Sequence, residues 1–404
     1  GGGAGGITVA ALLRRQAPEL SVAVIDPAGT HDYQPAWTLV GAGEFDVRDT
    51  RRPMRAVLPS GATLIAGTVE GFEPNANRVT LASGESVAYG QLVVAAGLQT
   101  NWKQIEGLSE TLGQHGVCSN YGFAYAPYTW QCIQKLGKGR ALFTQPPMPI
   151  KCPGAPQKIL YMAADHFRRG GKTIDVGFFT AGPAIFGVPF YARALEKVVQ
   201  HYGIGARFGH TLVAVNGAAR EAVFETSVDG VKSRVTEKFD MLHVTPPQSA
   251  PDFIKSSPLA DAAGFVAVDK HRLQHTQFGN VFALGDCAGT ANSKTAAAVR
   301  SQAPVLVKNL LAVRAGAAQT GHYDGYASCP LTTSVGKIML AEFGYDGVVM
   351  PSFAADPRQP RRRYWHLKKR FLPWLYWNLM LTGRTGPDWH ARRDYAADVP
   401  AITP

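Results

Sequence analysis

The chain has 404 residues, 46% hydrophobic and 18% charged, with 43 glycines and 27 prolines. That composition excludes a disordered chain or a coiled coil and fits two or three domains. No run of about 20 apolar residues occurs, so no transmembrane helix is expected. Lys and Arg outnumber Asp and Glu by 41 to 30, a net charge of +11, which calls for an anionic partner, either nucleic acid or a membrane surface. The five cysteines, Cys118, Cys132, Cys152, Cys287 and Cys329, are odd in number and widely spaced, with no CxxC or Cys/His zinc pattern. A disulfide-stapled scaffold and a metal site are therefore not expected.

The amino end reads Gly1-Gly2-Gly3-Ala4-Gly5-Gly6, with Gly1, Gly3 and Gly6 in G-x-G-x-x-G spacing. A helical pattern follows through Ile7, Ala10, Ala11, Leu12 and Leu13 and stops before Pro18. Ser21 to Ile25 then predicts a strand that closes on Asp26, 20 residues after Gly6. Together these make a dinucleotide fingerprint: glycines admit a pyrophosphate to backbone N–H groups at a helix N-terminus, and the acid takes a ribose. A parallel βαβ unit needs a strand before the glycines, so the natural chain is expected to extend upstream.

Val69 to Ala88 alternates like a hairpin region with turns at Asn75 and Ser83-Gly84, and Gln91 to Ala96 is a buried strand that ends at Gly97. Asn280 to Leu284 is another buried strand that ends in Gly285-Asp286, followed by a helix from Thr295 to Val307. An acid at such a strand end suits the ribityl chain of a flavin, so the expected dinucleotide is FAD. The order of these features is similar to that of flavoprotein reductases with two dinucleotide domains. The second such domain normally carries its own glycine loop for NAD(P)H. Here the strand from Lys172 to Thr180 leads into Gly182, Pro183, Ile185 and Phe186. Proline removes a donor and the bulky side chains block approach, so that site reads as dismantled.

Another electron source is then needed, and two cysteines offer it. Cys152 lies among Pro149, Pro153 and Pro156, before a helix predicted to begin near Gln157, with Lys151 and Lys158 close in sequence. Cations and a helix N-terminus favour a thiolate. Cys329 lies in Tyr323 to Leu331, read as a turn-rich loop before Pro330. Cys132, in a helical stretch from Thr129 to Leu136, and Cys287 read as structural.

At these residues the chain resembles the sulfide:quinone oxidoreductase family, most closely the group that includes the mitochondrial enzymes. The shared stretches are His31 to Gly43, Pro149 to Cys152, Met241 to Pro247, Gly285 to Cys287, Ser293 to Val299, Tyr323 to Leu331 and Phe371 to Met380. The resemblance implies that Cys152 and Cys329 exchange sulfur beside FAD through a disulfide or sulfur-bridged state. Within that relay the expectation is that Cys152 carries the persulfide and Cys329 passes electrons to the flavin. It places Gly3, Ala4 and Gly5 at the pyrophosphate, Asp26 at the adenosine ribose, Gln34 and Pro35 near the flavin, and Val69 at adenine. Asp286 falls at the ribityl chain, and Lys294 and Thr295 at the isoalloxazine. Cys118 is either a third, sulfur-relaying cysteine or a buried thiol. The acceptor of the sulfur is expected to be sulfite, a thiol or more sulfide.

The charge excess concentrates at the carboxyl end. Arg361 to Arg370 is basic and adjoins Phe371 to Leu381, rich in Trp, Tyr and Leu. Such a run is too short to span a bilayer and suits insertion among head groups. No nucleic-acid motif accompanies it. The whole run is expected to lie at a membrane surface and to be dispensable for the cysteine and FAD sites. Phe343, Tyr345, Tyr376 and Trp377 are candidate walls of a quinone site, and Lys368 a candidate proton donor to it.

The expected fold is α/β, with two Rossmann-like dinucleotide-binding domains and a C-terminal membrane-association segment. Its divisions are 1–110 and 246–320 for FAD, 111–245 for the degenerate second domain and 321–404 for the redox-cysteine, quinone and membrane region. The expected activity is sulfide oxidation with quinone as acceptor, at the bacterial cytoplasmic membrane or the mitochondrial inner membrane, with a homo-oligomer possible. The alternatives are an NADH:quinone oxidoreductase of the same fold and a non-catalytic flavin-containing membrane scaffold.

Overall fold

The computed structural model describes residues 1–228, 230–386 and 390; the end of the expected 321–404 region lies outside the described residues. Helix α1 (Ala4–Gln16) starts directly on the glycines, with Gly3 as its N-cap. Its last turn carries Arg14 and Arg15, where cations suit the helix dipole. Arg14 also caps the turn by donating to the carbonyls of Pro18 and Leu20. The strand Val22–Ile25 pairs in parallel with Ala62–Ile65. A three-stranded antiparallel sheet, Val69–Glu73, Arg78–Leu81 and Ser86–Ala88, occupies the hairpin region. The strand Leu92–Val94 pairs in parallel with Val281–Ala283, so early and late parts of the chain close one layer beside α1.

The middle of the chain builds a five-stranded parallel sheet. Its order is Val117–Cys118, Met241–His243, Gly139–Gln145, Ile174–Thr180, Gly205–Phe208. The helices are α2 (Ala126–Lys135), α3 (Ala155–Arg169) and α4 (Pro189–Tyr202). Helix α3 is buried without a break from Pro156 to Ala164, as expected of a helix enclosed by packing partners on every side. The loop after Ile174–Thr180 is packed shut: Ile185, Phe186 and Val188 are buried, and Phe186 meets Phe343 edge-on at 5.8 Å. Helix α4 then opens on Pro189, which offers no N–H.

Helix α5 (Ala296–Arg314) follows Gly285-Asp286, with the Thr295 hydroxyl capping its N-terminus through the Ala298 N–H at 3.1 Å. Cys329 is on a strand and not in a loop: Ala327–Ser334 pairs antiparallel with Lys337–Phe343, and Cys329 lies opposite Ala341. Pro330 is accommodated because, among the described residues, its strand pairs on one side only, with Lys337–Phe343.

The carboxyl end runs as a short helix Arg362–His366, a π-helical turn Leu367–Phe371 and α6 (Leu372–Asn378). It is not a uniform surface segment. Phe371 and Trp374 are 40% and 50% exposed, whereas Tyr376, Trp377, Met380 and Leu381 are buried in the same core as α1. Spacings of three and four residues separate a wet face from a buried one. Gly383 completes the fit, since a Cβ there would stand 2.8 Å from the Ala11 backbone. Among the described residues no helix is long and apolar enough to cross a membrane.

Candidate active site

The glycines before α1 form a cradle. A Cβ at Gly6 would collide with the Gly1 carbonyl, and one at Gly3 would meet nothing within 4 Å. Close chain packing lies behind the loop and open space in front. Asp26 stands at the end of its strand and accepts from Gly2 N at 2.6 Å and Ala28 N at 2.8 Å. Gly97 and Gly285 both take positive φ, +71° and +73°, turning the two paired strands at the same edge. Asp286, next in sequence, has its carboxyl pushed above the ordinary range by burial, with the ammonium groups of Lys151 and Lys294 opposing that shift. Gln34 and Pro35 are exposed, and Gln34 accepts from Lys151 Nζ at 2.9 Å. Val69 opens its strand beside the same layer.

These groups fit FAD: free N–H groups at a helix N-terminus for phosphates, a carboxylate at a strand end for ribose, and a buried carboxylate further on. One expected role is narrowed. The Lys294 ammonium is buried and already donates to the carbonyls of Ala288 at 2.6 Å and Thr290 at 3.1 Å. It fixes the loop from Ala288 to Thr290 before α5, and only its remaining donor is available to a ligand.

Beside this end of the cradle lie Cys152 and Cys329, as thiols with Sγ atoms 3.3 Å apart. Cys152 has φ +50°, an uncommon value for a residue with a side chain. It is held there by its own N–H on Lys294 O and by Ala155 N on its carbonyl, each at 2.7 Å. Helix α3 begins two residues earlier than Gln157, at Ala155, which turns Lys158 inward in the first turn. Lys158 Nζ donates to Cys152 Sγ at 3.0 Å. The hydrogen bond from Cys329, together with the Lys158 charge, holds the Cys152 thiol well below its usual range despite burial. The same hydrogen bond and burial push Cys329 well above it. The shared hydrogen bond therefore favours ionisation at Cys152 over ionisation at Cys329.

Lys368 belongs to this pair and not to the aromatic cluster. The π-helical turn carries it inward, where burial and then repulsion from Lys158 lower its ammonium to about 7, against the pull of the two thiols. Tyr121 also faces the pair, its hydroxyl 3.5 Å from the Lys151 carbonyl, with the charges of both cysteines acting on it. Nothing in the sequence around Tyr121 marks it.

The other expected quinone residues divide between two cores. Phe343 packs in the core that holds Cys329, whereas Tyr345, Tyr376 and Trp377 lie in the core of α1. The Tyr345 hydroxyl is committed to Lys270 O at 2.7 Å. Cys118 is fully buried with its thiol on Leu242 O at 3.5 Å, in contact with Cys132, and burial holds it well above its usual range. Cys287 is buried under the Val94 carbonyl. An open groove of about 790 Å³, lined by Arg193, Lys197, His201 and Lys337 among others, shares no residue with the cradle or the thiol pair.

Fold and site together define a flavoprotein reductase with two dinucleotide-binding-type domains. No family profile matches the chain. Curated relatives do: the chain is 40% identical to the mitochondrial sulfide:quinone oxidoreductase of Mus musculus over 388 residues, 96% of this chain and 86% of the relative. It is 42% identical to that of Dictyostelium discoideum over 389 residues, 95% and 85% of the two chains. The solved structure of the Aquifex aeolicus sulfide:quinone oxidoreductase has the same fold, with TM-score 0.78 and 20% identity over 96% of this chain and 91% of that one. The chain belongs to the sulfide:quinone oxidoreductase family.

Proposed function

We propose that this protein oxidises sulfide at the Cys152–Cys329 pair and passes the electrons through FAD to a quinone. The observation that carries the reading is the pair itself: two thiols 3.3 Å apart with an ammonium on one of them. They lie against the Lys294 end of the cradle, in a chain whose second nucleotide loop is filled by Ile185 and Phe186. The filled loop speaks against NADH as donor, and the paired thiols against a scaffold without turnover.

FAD, held by Gly3, Ala4, Gly5, Asp26 and Asp286, supplies a two-electron acceptor beside the thiols and a donor to quinone. The chain's own residues handle the sulfur. In the oxidised pair, hydrosulfide attacks Cys329 Sγ. The Cys152–Cys329 bond breaks, Cys329 keeps the added sulfur as a persulfide, and the bonding electrons leave on Cys152. The thiol of lower pKa is the better leaving group, and the Lys158 ammonium, 3.0 Å from Cys152 Sγ, stabilises the thiolate that leaves there. This order favours Cys329 for the persulfide and Cys152 for electron delivery, the reverse of the expectation from the sequence. Lys368, poised near neutrality, takes the proton released as the nucleophile ionises. A small acceptor, sulfite, a thiol or sulfide, then removes the outer sulfur from Cys329 and leaves its thiolate.

Phe371 and Trp374, together with the exposed Arg362, Arg363 and Arg370, form the surface proposed to meet a membrane. The relatives named as mitochondrial favour a mitochondrial membrane. The activity is tested with sulfide as sole reductant and a short-tailed quinone as acceptor. Reduction is expected in the natural chain and lost in Cys329→Ser; absence from the former or retention in the latter would refute the reading.

A further inference from the structure

His31 is buried between the glycine cradle and the C-terminal helix, 345 residues from its partner Tyr376. Its Nδ1 lies 2.8 Å from the Gly2 carbonyl and its Nε2 lies 2.6 Å from the Tyr376 hydroxyl. The geometry fixes the protons. A carbonyl only accepts, so Nδ1 carries the hydrogen and donates to Gly2. Burial lowers the His31 pKa, so the ring is neutral at pH 7; Nε2 therefore accepts and Tyr376 donates. Hydrogen bonding thus runs one way, from the helix hydroxyl through the ring to the loop carbonyl.

That carbonyl belongs to the peptide linking Gly2 to Gly3. The unit is planar and trans, so its C=O and N–H point in opposite directions. Holding the Gly2 oxygen toward His31 aims the Gly3 N–H away from it. Among the described residues no group accepts from Gly3 N–H, and Gly3 fronts open space. The strut is stiff. Tyr376 packs on Tyr33 at 4.6 Å, Trp377 lies edge-on to His31 at 5.7 Å, and the Arg52 guanidinium covers Trp377 at 4.2 Å. Lys369 ties the preceding turn to Glu44 at 2.6 Å.

We propose that Tyr376 and His31 are positioning residues that set the Gly2–Gly3 peptide for the pyrophosphate of FAD, so that the C-terminal helix is part of the cofactor cradle as well as of the surface exposing Phe371 and Trp374. The proposal rests on FAD occupying this cradle. It makes the C-terminal segment a contributor to cofactor retention, contrary to its apparent independence in the sequence. It also gives Tyr376 a task other than lining a quinone site.

The test is FAD binding to the deflavinated full chain, followed by quenching of flavin fluorescence. Loss of one hydrogen bond in Tyr376→Phe is expected to weaken binding about tenfold. His31→Leu is expected to weaken it further. His31→Gln, whose amide both donates and accepts, is expected to stay within about threefold of the natural chain. If Tyr376→Phe and His31→Leu bind FAD as tightly as the natural chain, the proposal is overturned. It is equally overturned if Tyr376→Phe changes only the quinone KM. Should His31→Leu fail to fold, Tyr376→Phe, which removes a single oxygen atom, decides the matter. Failure of the natural chain itself to bind FAD would instead refute the cofactor reading.

Discussion

Replacing Lys158 by Met keeps the length of the side chain and removes the ammonium 3.0 Å from Cys152 Sγ. At that distance, with an effective dielectric of about 20, the gross attraction to a thiolate is on the order of 5 kcal/mol. The net worth of a hydrogen bond to a charged group is smaller, about 1.5–3 kcal/mol. Dividing by about 1.4 kcal/mol per unit gives a rise in the Cys152 thiol pKa of roughly one to two units. The hydrogen bond from Cys329 remains in the variant, so the rise stops short of a fully isolated buried thiol. With a sensitivity near one half per unit, sulfide attack at Cys329 slows about three- to tenfold. The assay is the pH dependence of iodoacetamide labelling at Cys152 in the reduced protein, read by mass spectrometry of the peptide. A labelling midpoint in Lys158→Met equal to that of the natural chain would refute the assignment of Lys158 as the group that holds the thiolate.

Cys152→Ser and Cys329→Ser are each expected to abolish sulfide-driven quinone reduction, with the double variant hardly worse, because the two act as one unit; a double variant that multiplies the two losses contradicts this. Cys118→Ser, whose thiol is engaged by Leu242 O in the core, is expected to cost less than about threefold in the same assay. Lys368 has its pKa lowered from 10.5 to about 7, so the unfolded chain binds the extra proton between those values. Stability is therefore expected to rise as pH goes from 7 toward 10, by an amount on the order of 4 kcal/mol at most. Lys368→Met should remove that rise in urea midpoints measured across the range. Phe371→Ser with Trp374→Ser is expected to cut partition onto anionic vesicles by several kcal/mol at roughly 25 cal/mol per Å², while FAD stays bound; sedimentation with vesicles, compared with flavin absorbance, reads both.

The glycine loop, Asp26 and the two buried strands at Gly97 and Gly285 were legible because each is a local pattern with a local cause. Cys152 was legible through its prolines and lysines, all within a few residues. Cys329 was misread as a loop because Pro330 and the turn residues before it dominate the local signal, whereas the partner strand Lys337–Phe343 supplies the pairing. The run from Phe371 to Leu381 was read as one surface because its composition is uniform. Helical spacing separates Phe371, Trp374 and Asn378 from Pro373, Tyr376, Trp377 and Met380, and reading the period would have revealed the buried face. Lys368 at the thiols and His31 under Tyr376 were beyond any local reading. Lys368 lies 39 residues from Cys329 and 216 from Cys152, and His31 lies 345 from Tyr376, so only packing of the C-terminal turn against both cores brings these partners together.

The central claim is that sulfide, through Cys152 and Cys329, is the reductant of the bound flavin. Anaerobic titration of the purified holoprotein, followed at the flavin absorbance near 450 nm, tests it most directly. The account predicts bleaching by sulfide, none by NADH, and recovery of colour on adding quinone. Rapid bleaching by NADH, or sulfide bleaching that survives in Cys152→Ser, would contradict it.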